Sequence, residues 1–455
     1  MSHHRREFLK KSVVGTAGLA LGVNALGAST FGSAFAASPQ SYRRILGAND
    51  RIHLAVIGTN NRGKAHITAI SKGNNAEVAY ICDVDSKVLE STLTEVKQKT
   101  GKTPKGEKDI RRLLDQKNLD AITIATPEHW HAPMALMGVQ AGKHVYVEKP
   151  CSHNPREGEM LVEAQKRYGK LIQMGNQQRS APTSIQAVKD IREGIIGTPY
   201  FGKAWYSNNR KPIGNGNEVA PPAWLDWELW QGPAPREAYR DNVVHYNWHW
   251  FKNWGTGEIH NNGTHEIDVC RWALGVDYPT KVSASGGRYH YQGDDWEFPD
   301  TQVVSYEFPD NKMITWEGKS CNPFNFYDRG RGATIHGSEG TVMLDRNGYW
   351  AYDMDGKLIK EVLEKAESAT TNTLGEGALD IFHMNNFFDG IRSGQALHSP
   401  IADAHISTLL CHLGNISQFV GRSLSCNPKT GHIQGDMEAM KYWSRQYAPG
   451  WEPSV

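Results

Sequence analysis

The feature that most constrains this chain is a strand, a glycine turn and a helix in immediate succession: "RIHLAVIGTNNRGKAHITAI", residues 51–70. The apolar run from Ile52 to Ile57 is too short for a helix and reads as a buried strand. The turn that follows, Gly58-Thr59-Asn60-Asn61-Arg62-Gly63, keeps the spacing G-x-G-x-x-G except that Asn60 stands at the middle glycine. That glycine normally lets the backbone approach a pyrophosphate. Asn tolerates positive φ, so the turn remains feasible. Taken alone, it serves equally well as a plain connection between strand and helix. Its setting decides the matter. "EVAYICDVD" supplies a second strand ending at Asp83, "DIRRLLDQKNLDAITIATP" a helix and a third strand over Ala121 to Ala125, and "MALMGVQAGKHVYVEKP" a further helix and strand. Repeated β-α units of this length predict a parallel, doubly wound sheet, the Rossmann arrangement. Ligands of such sheets lie at the carboxyl ends of the strands, where Gly58, Asp83, Thr126 and Lys149 all fall. The expected ligand is a dinucleotide. Asp83 is placed to accept hydrogen bonds from the adenosine ribose and would repel a 2′-phosphate, which favours NAD over NADP.

Charge is balanced, 50 Lys and Arg against 49 Asp and Glu, and no basic stripe stands out. Nucleic acid is therefore not an expected partner. The six cysteines are widely spaced without a C-x-x-C pair, so neither a zinc knuckle nor a redox dithiol is suggested. The N-terminal 36 residues have a basic start at Arg5 and Arg6, a weakly apolar Gly-bearing run and an Ala34-Phe35-Ala36 ending, the pattern of a cleaved export signal. "RREFLKK" resembles the twin-arginine motif, whose proteins cross the membrane already folded. The reading is a signal peptide over 1–36, a linker over 37–49, and a mature protein without a membrane anchor in the periplasm. Ser38 to Asn49 and Glu367 to Gly377 are the stretches expected to be flexible.

"TPEHWHAPMALMGVQAGKHVYVEKP" closely resembles the glucose-fructose oxidoreductase / inositol dehydrogenase / rhizopine-catabolism (Gfo/Idh/MocA) family, whose signature is the tripeptide found here as Glu148-Lys149-Pro150. The resemblance runs from about Arg51 to Pro428 and extends to the family's exported, twin-arginine-bearing branch. It implies an NAD(P)-binding Rossmann domain, set here at 50–172, and a C-terminal α+β domain over 173–455 with an open, mostly antiparallel sheet that packs against another subunit, hence a homo-dimer or tetramer. The family's second signature corresponds to "GTGEIHNNGTHEIDVCRWALG", residues 255–275, with its histidine at His265 and its aspartate replaced by Asn261. Asn can orient an imidazole but supplies no charge, so His265 is expected to stay neutral. No H-E-x-x-H occurs and His260 is five residues from His265, poor spacing for one helical face; no metal is expected. Asn261 or Asn262 is expected to cap the following helix, with His265, Asp268 and Trp272 on one face.

Carried onto these residues, the resemblance makes His265 the acid/base, Lys149 its electrostatic partner and Asn261 a positioning group, acting on a secondary hydroxyl of a sugar, glycoside or polyol. Cofactor contacts are assigned to Gly58, Asn60, Asn61, Arg62, Gly63, Asp83, Thr126, Pro127, His129, His131, Glu148 and Lys149. Substrate contacts are assigned to Asn176, Gln177, Arg179, Trp248 and Trp250. Glu128 is a weaker candidate. Because free dinucleotide is scarce outside the cytoplasm, a tightly held NAD recycled on the protein is expected. Two rival readings remain: a glycosidase or lyase working through a transient keto-sugar, and a non-catalytic sugar-binding protein that departs from the family at Asn60 and Asn261.

Overall fold

The computed structural model describes residues 50–364 and 378–455. The signal and linker read at 1–49, and most of the expected flexible stretch at 367–377, lie outside the described residues.

The first half of the chain alternates strand and helix. β1 (Ile52–Ile57), α1 (Arg62–Lys72), β2 (Ala76–Cys82), α2 (Ser86–Thr100) and β3 (Lys105–Glu107) are followed by α3 (Ile110–Leu114), β4 (Ala121–Ile124), α4 (His131–Gln140), β5 (His144–Val147), α5 (Pro155–Tyr168) and β6 (Ile172–Met174). The six strands pair in parallel in the order β3-β2-β1-β4-β5-β6. The order reverses between β1 and β4, and the crevice outside that switch point is where such sheets bind dinucleotides. Helices cover both faces, so the strands carry apolar side chains without alternation; Leu54, Ala55, Val56, Ile122 and Ile124 are all fully buried. Asp85 caps α2 by accepting from the Lys87 and Val88 amides, and Asn154 caps α5 through the Glu157 amide.

After α6 (Pro182–Arg192) the chain builds a nine-stranded sheet from β7 (Pro199–Ser207), β8 (Lys281–Gly287), β9 (Thr301–Phe308), β10 (Lys312–Lys319), β11 (Arg331–Gly337), β12 (Gly340–Asp345), β13 (Gly348–Asp353), β14 (Leu358–Leu363) and the short β15 (Leu424–Ser425), in the order β14-β13-β12-β11-β7-β10-β9-β8-β15. Every pair is antiparallel except β7 with β10. One face is covered by α8 (Thr264–Leu274) and α10 (Ile401–Val420), which share a core with Val304, Tyr306, Ile314 and Trp316. Alternate residues of the strands face outward, Val303 and Tyr200 among them. The α/β fold with a parallel Rossmann sheet and a second, mostly antiparallel one is as the sequence implies.

The two halves are interlocked. The boundary expected after residue 172 falls inside β6. α9 (Ala378–Ser393) returns to the first sheet, where Met384, Phe387 and Phe388 pack in one core with Ile52, Leu54 and Val56. Arg392 near its end donates to the carbonyls of Asn74 and Asn75. Between β7 and α8 the chain crosses the mouth of the dinucleotide crevice as a strap, residues 208–254, which contains the short α7 (Trp227–Gln231). It is fastened on one side by Ser86 N–H to the Trp224 carbonyl (2.9 Å), Asp226 N–H to the Val84 carbonyl (3.1 Å), and the ion pair of Lys108 with Asp226 (2.7 Å). On the other side His129 N–H donates to the Trp254 carbonyl (3.1 Å) and the Trp130 indole to the Trp230 carbonyl (2.9 Å). Trp227, Trp230 and Trp254 form the strap's own small core.

Candidate active site

A cavity of about 650 Å³ lies between the carboxyl end of the first sheet, the strap, α8 and strand ends of the second sheet. Its dinucleotide end is built by the β1–α1 turn. Gly58 sits at φ +79°, and a Cβ there would lie 2.8 Å from the Ala125 carbonyl oxygen. A Cβ on Gly63 would lie 2.0 Å from the Gly58 oxygen, so α1 can start this close to the strand only with glycine at both positions. Asn60 is not among the positive-φ residues; the left-handed position belongs to Gly58, and asparagine is accommodated because nothing unusual is asked of its backbone. No side chain caps α1 and its first turn holds no acid, which leaves its amides for an anion such as a pyrophosphate. Asp83 accepts from the Thr59 amide (2.7 Å) and the Asp85 amide (3.0 Å). Burial raises its carboxyl, and those amides partly offset the rise. The glycine cradle, the open helix end and the carboxylate at the next strand end fit NAD.

Glu148 organises the centre. Its Oε1 receives Arg62 Nε at 2.7 Å and Gln177 Nε2 at 3.0 Å, and lies 3.0 Å from His66 Nε2. Burial pushes this carboxyl up, but the charge of Arg62, the hydrogen bond with His66 and the charge of Lys149 outweigh it and hold it well below the usual range. Arg62 also pairs with Asp380 of α9. Lys149 donates from Nζ to the Asn261 carbonyl (2.6 Å) and side-chain oxygen (3.3 Å). Burial lowers its ammonium below the ordinary lysine value, while Glu148 and Glu128 pull the other way. Glu128 accepts from the Thr256 hydroxyl, and burial raises its carboxyl to about 7 despite Thr256 and Lys149.

Asn261 and Asn262 do not cap α8. They lie in a wider π-turn, Ile259–Gly263, that runs straight into it. Asn262 bridges Glu258 and Arg331, and Glu258 is held by Arg210 (2.6 Å) and Ser320 (3.0 Å). His265, one residue into α8, lines the cavity. Burial, and then the charges of Arg346, Lys149 and Arg331, push its imidazole well below 6.5, so it is neutral at pH 7.

Lys149, His265 and Asn261 thus line one cavity with Gly58, Asn60, Asn61, Arg62, Asp83, Thr126, Pro127, His131, Glu148, Gln177 and Trp248. Five expected residues are not brought to its wall. Gly63 acts behind the turn. His129 points away, its Nε2 2.9 Å from the Trp230 carbonyl, and so anchors the strap. Arg179 is spent on Asp268 (2.7 Å) and Asp403 (2.9 Å). Trp250 is 1% exposed and stacked on Trp296 at 3.9 Å. Asn176 is buried without lining the cavity. His131 lies at the wall but its ring nitrogens sit 2.6 Å and 2.9 Å from the carbonyls of Pro150 and Thr126, tying two strand ends together. Lining residues not expected include Arg331 and Arg346 from the second sheet and Arg210 and His245 from the strap. Among the described residues no group of three or more His, Cys, Asp or Glu is placed to hold a metal, and all six cysteines are free and buried.

A Rossmann crevice joined to an open-sheet domain, with a buried lysine and a neutral histidine at the junction, defines the class of two-domain nicotinamide-dependent oxidoreductases. Residues 52–176 match the model of the GFO_IDH_MocA oxidoreductase family, NAD-binding Rossmann fold, and residues 230–343 match the GFO/IDH/MocA C-terminal domain. The chain belongs to the Gfo/Idh/MocA family. Among curated relatives, a Glycosyl hydrolase family 109 protein of Shewanella baltica (strain OS185) is 29% identical over 211 residues, 45% of this chain and 46% of that protein. The Alpha-N-acetylgalactosaminidase of Shewanella oneidensis matches to the same extent. The match spans about half the length of these relatives. Of solved structures, levoglucosan dehydrogenase with NADH and levoglucosan aligns at a TM-score of 0.64 with 20% identity, covering 82% of this chain and 99% of that one. The WlbA dehydrogenase of Bordetella pertussis with NADH and UDP-GlcNAcA aligns at 0.61 with 20% identity, covering 83% and 99%. At that identity the likeness is one of fold.

Proposed function

We propose that this protein is an NAD(H)-dependent oxidoreductase acting on a secondary hydroxyl of a sugar, glycoside or polyol, and that its dinucleotide stays bound between turnovers. The observation that carries this is the meeting of Lys149 and His265 on one cavity continuous with the dinucleotide crevice. When bound, the nicotinamide supplies a hydride acceptor. The neutral His265 ring takes the hydroxyl proton. The Lys149 ammonium, steered by its bonds to Asn261, stabilises negative charge developing on the substrate oxygen. Glu128, raised to about 7 beside Lys149, holds or releases a proton within the same pH range. The strap, fastened on both sides of the crevice, supports slow release of the dinucleotide. Retention suits the proposed export by the twin-arginine route to the periplasm. The outward face of the second sheet, with Tyr200 half exposed and Val303 nearly so, suits a homo-oligomer.

A second reading is favoured by the names of the curated relatives: redox-neutral cleavage of a glycoside. Oxidising a ring carbon to a ketone acidifies the neighbouring C–H, permits elimination of the aglycone, and lets the same hydride be returned. One experiment serves both readings. Purified protein is denatured and the released dinucleotide counted per chain, and native protein is then incubated with a panel of glycosides. Net oxidised sugar supports the dehydrogenase; free aglycone without net redox change supports the lyase-type cycle. Lys149→Ala and His265→Ala should each cost about 100-fold or more in turnover. If neither changes turnover on an active substrate, the assigned roles are wrong and a sugar-binding role gains.

A further inference from the structure

One arginine on the cavity wall has no acceptor among the described residues. Arg62, Arg210 and Arg331 each hold a carboxylate: Glu148 and Asp380, Glu258, and Glu266 at 2.6 Å, respectively. Arg346 lines the same cavity, yet no described residue accepts a hydrogen bond or forms an ion pair with its guanidinium. The neighbouring acids are committed. Asp345, next in sequence, receives Arg329 Nε at 2.8 Å and the Asn347 amide at 2.7 Å. Glu266 belongs to Arg331 and Asp380 to Arg62. A guanidinium has five N–H donors and cannot be satisfied by losing its charge at pH 7. The residue is half-buried and its guanidinium nitrogens are not sealed off, so the charge opens onto the cavity, where an oxyanion can replace water as its acceptor.

The position is also fixed. Arg346 occupies the two-residue turn between β12 and β13, closed by the pairing of Asp345 with Gly348, and the next residue, Asn347, accepts the Glu364 amide at 2.7 Å. Arg346 and His265 line the same cavity, and after burial the guanidinium's charge is the strongest influence lowering the imidazole. Burial, with Arg331 next to it, brings it down to about 10, still fully charged at pH 7 and ready for an anion. The dinucleotide's own phosphates have another seat, at the Gly58 turn and the open end of α1.

We propose that the substrate is an acidic saccharide whose oxyanion, a sugar carboxylate or a sulfate ester, docks on Arg346 in the cavity beside His265. This rests on the reading of the cavity as a sugar site and sharpens it: Arg346 is the residue that selects the charged sugar over its neutral parent. A planar guanidinium can hold either oxyanion with paired N–H donors, and the two sources are separated by experiment.

The test uses the full chain with its retained dinucleotide and calorimetric titration with methyl uronides, 6-O-sulfated methyl glycosides and plain methyl glycosides of the gluco and galacto series. At least one acidic ligand should bind about tenfold or more tightly than its neutral parent. In Arg346→Gln that ratio should fall to about one, in Arg346→Lys part of it should persist, and dinucleotide per chain should be the same in all three proteins. Whether uronide or sulfate leads identifies the oxyanion. Equal binding of neutral and acidic ligands, a preference that survives Arg346→Gln, or no binding by any of them overturns the proposal. So does loss of dinucleotide from Arg346→Gln, which would assign the guanidinium to the pyrophosphate. Reduction of the bound dinucleotide by any neutral sugar, followed by its near-ultraviolet absorbance, tests the sugar-oxidoreductase reading separately.

Discussion

Lowering the pH from 7 to 5 should strip this protein of much of its stability, and four buried imidazoles carry the reasoning. Burial pushes His129 and His260 down to about 3 and His383 and His405 down to about 4. The geometry shows what protonation would meet. His129 Nδ1, His260 Nε2 and His405 Nδ1 are buried with no hydrogen-bond partner, so a second proton on the ring would be an N–H without an acceptor. His383 already uses both nitrogens, 2.7 Å from the Ser180 hydroxyl and 2.8 Å from the Met174 carbonyl. In the unfolded chain each ring titrates near ~6.5. The folded values lie below the unfolded one. The stability these rings contribute is therefore whole above about pH 6.5 and is lost as the pH falls toward the folded values, because the unfolded chain binds protons that the native one refuses. Between pH 7 and 5 each ring removes about 1.8 kcal/mol, roughly 7 kcal/mol for the four.

Glu128 opposes this. Its carboxyl, at about 7 in the fold, is protonated in the native state before the unfolded one, which returns about 2 kcal/mol over the same interval. The net loss is about 5 kcal/mol, comparable with the whole stability of many domains. Urea unfolding of the full chain at pH 7, 6 and 5, followed by the fluorescence of its 14 tryptophans, measures it. His405→Gln should reduce the pH-dependent loss by about 2 kcal/mol. A stability that changes by less than about 1 kcal/mol across the interval, or that rises toward pH 5, would refute the burial argument.

Three further outcomes follow from the site. Gly58→Ala puts a methyl 2.8 Å from the Ala125 oxygen at a φ of +79°, so the variant should fold but purify without dinucleotide, as counted after denaturation. Burial lowers Lys149; if its ammonium is needed, kcat/KM should fall with rising pH through a value below the ordinary lysine value of 10.5. Trp230→Ala empties the strap's core and should speed dinucleotide release about tenfold or more in a dilution and gel-filtration assay.

The parts of this site that were legible in the sequence are those whose cause is local. β1, its turn and α1 are contiguous, and the glycines at 58 and 63 are required by atoms no further away than the next strand. Asp83 and Lys149 are readable because a parallel sheet places every strand end on one rim, so counting β-α units is enough. The misplaced residues fail for one common reason. Arg179 follows a strand end as a ligand-binding residue would, but the carboxylates that claim it, Asp268 and Asp403, are far along the chain. Trp250 sits in a run of tryptophans that suits sugar faces, and only the arrival of Trp296 makes it core. His129 looks like its neighbour His131 until the strap arrives with the Trp230 carbonyl. Arg346 was missed for the converse reason. A turn arginine is ordinarily solvated, and its isolation becomes visible only when Asp345, Glu266 and Asp380 are each found holding another cation.

The π-turn shows how a local misreading can conceal a functional arrangement. An Asn-Asn pair before a helical apolar pattern is a normal capping signal, and nothing in the residues themselves marks Ile259–Gly263 as helical. In the fold, Glu258 ahead of the turn is gripped by Arg210 and Ser320, and Asn262 within it is held by Glu258 and Arg331. These side chains keep the extra residue of the wider turn in place. The Lys149 ammonium is inserted at that point, on the Asn261 carbonyl. Such turns loosen the regular ladder and recur at functional sites. Here the asparagine that replaces the family's aspartate serves Lys149 first through its backbone, which no side chain at 261 would remove. The substitution therefore costs the site a negative charge without costing it the lysine's position, and with one carboxylate fewer beside it His265 is the more readily neutral.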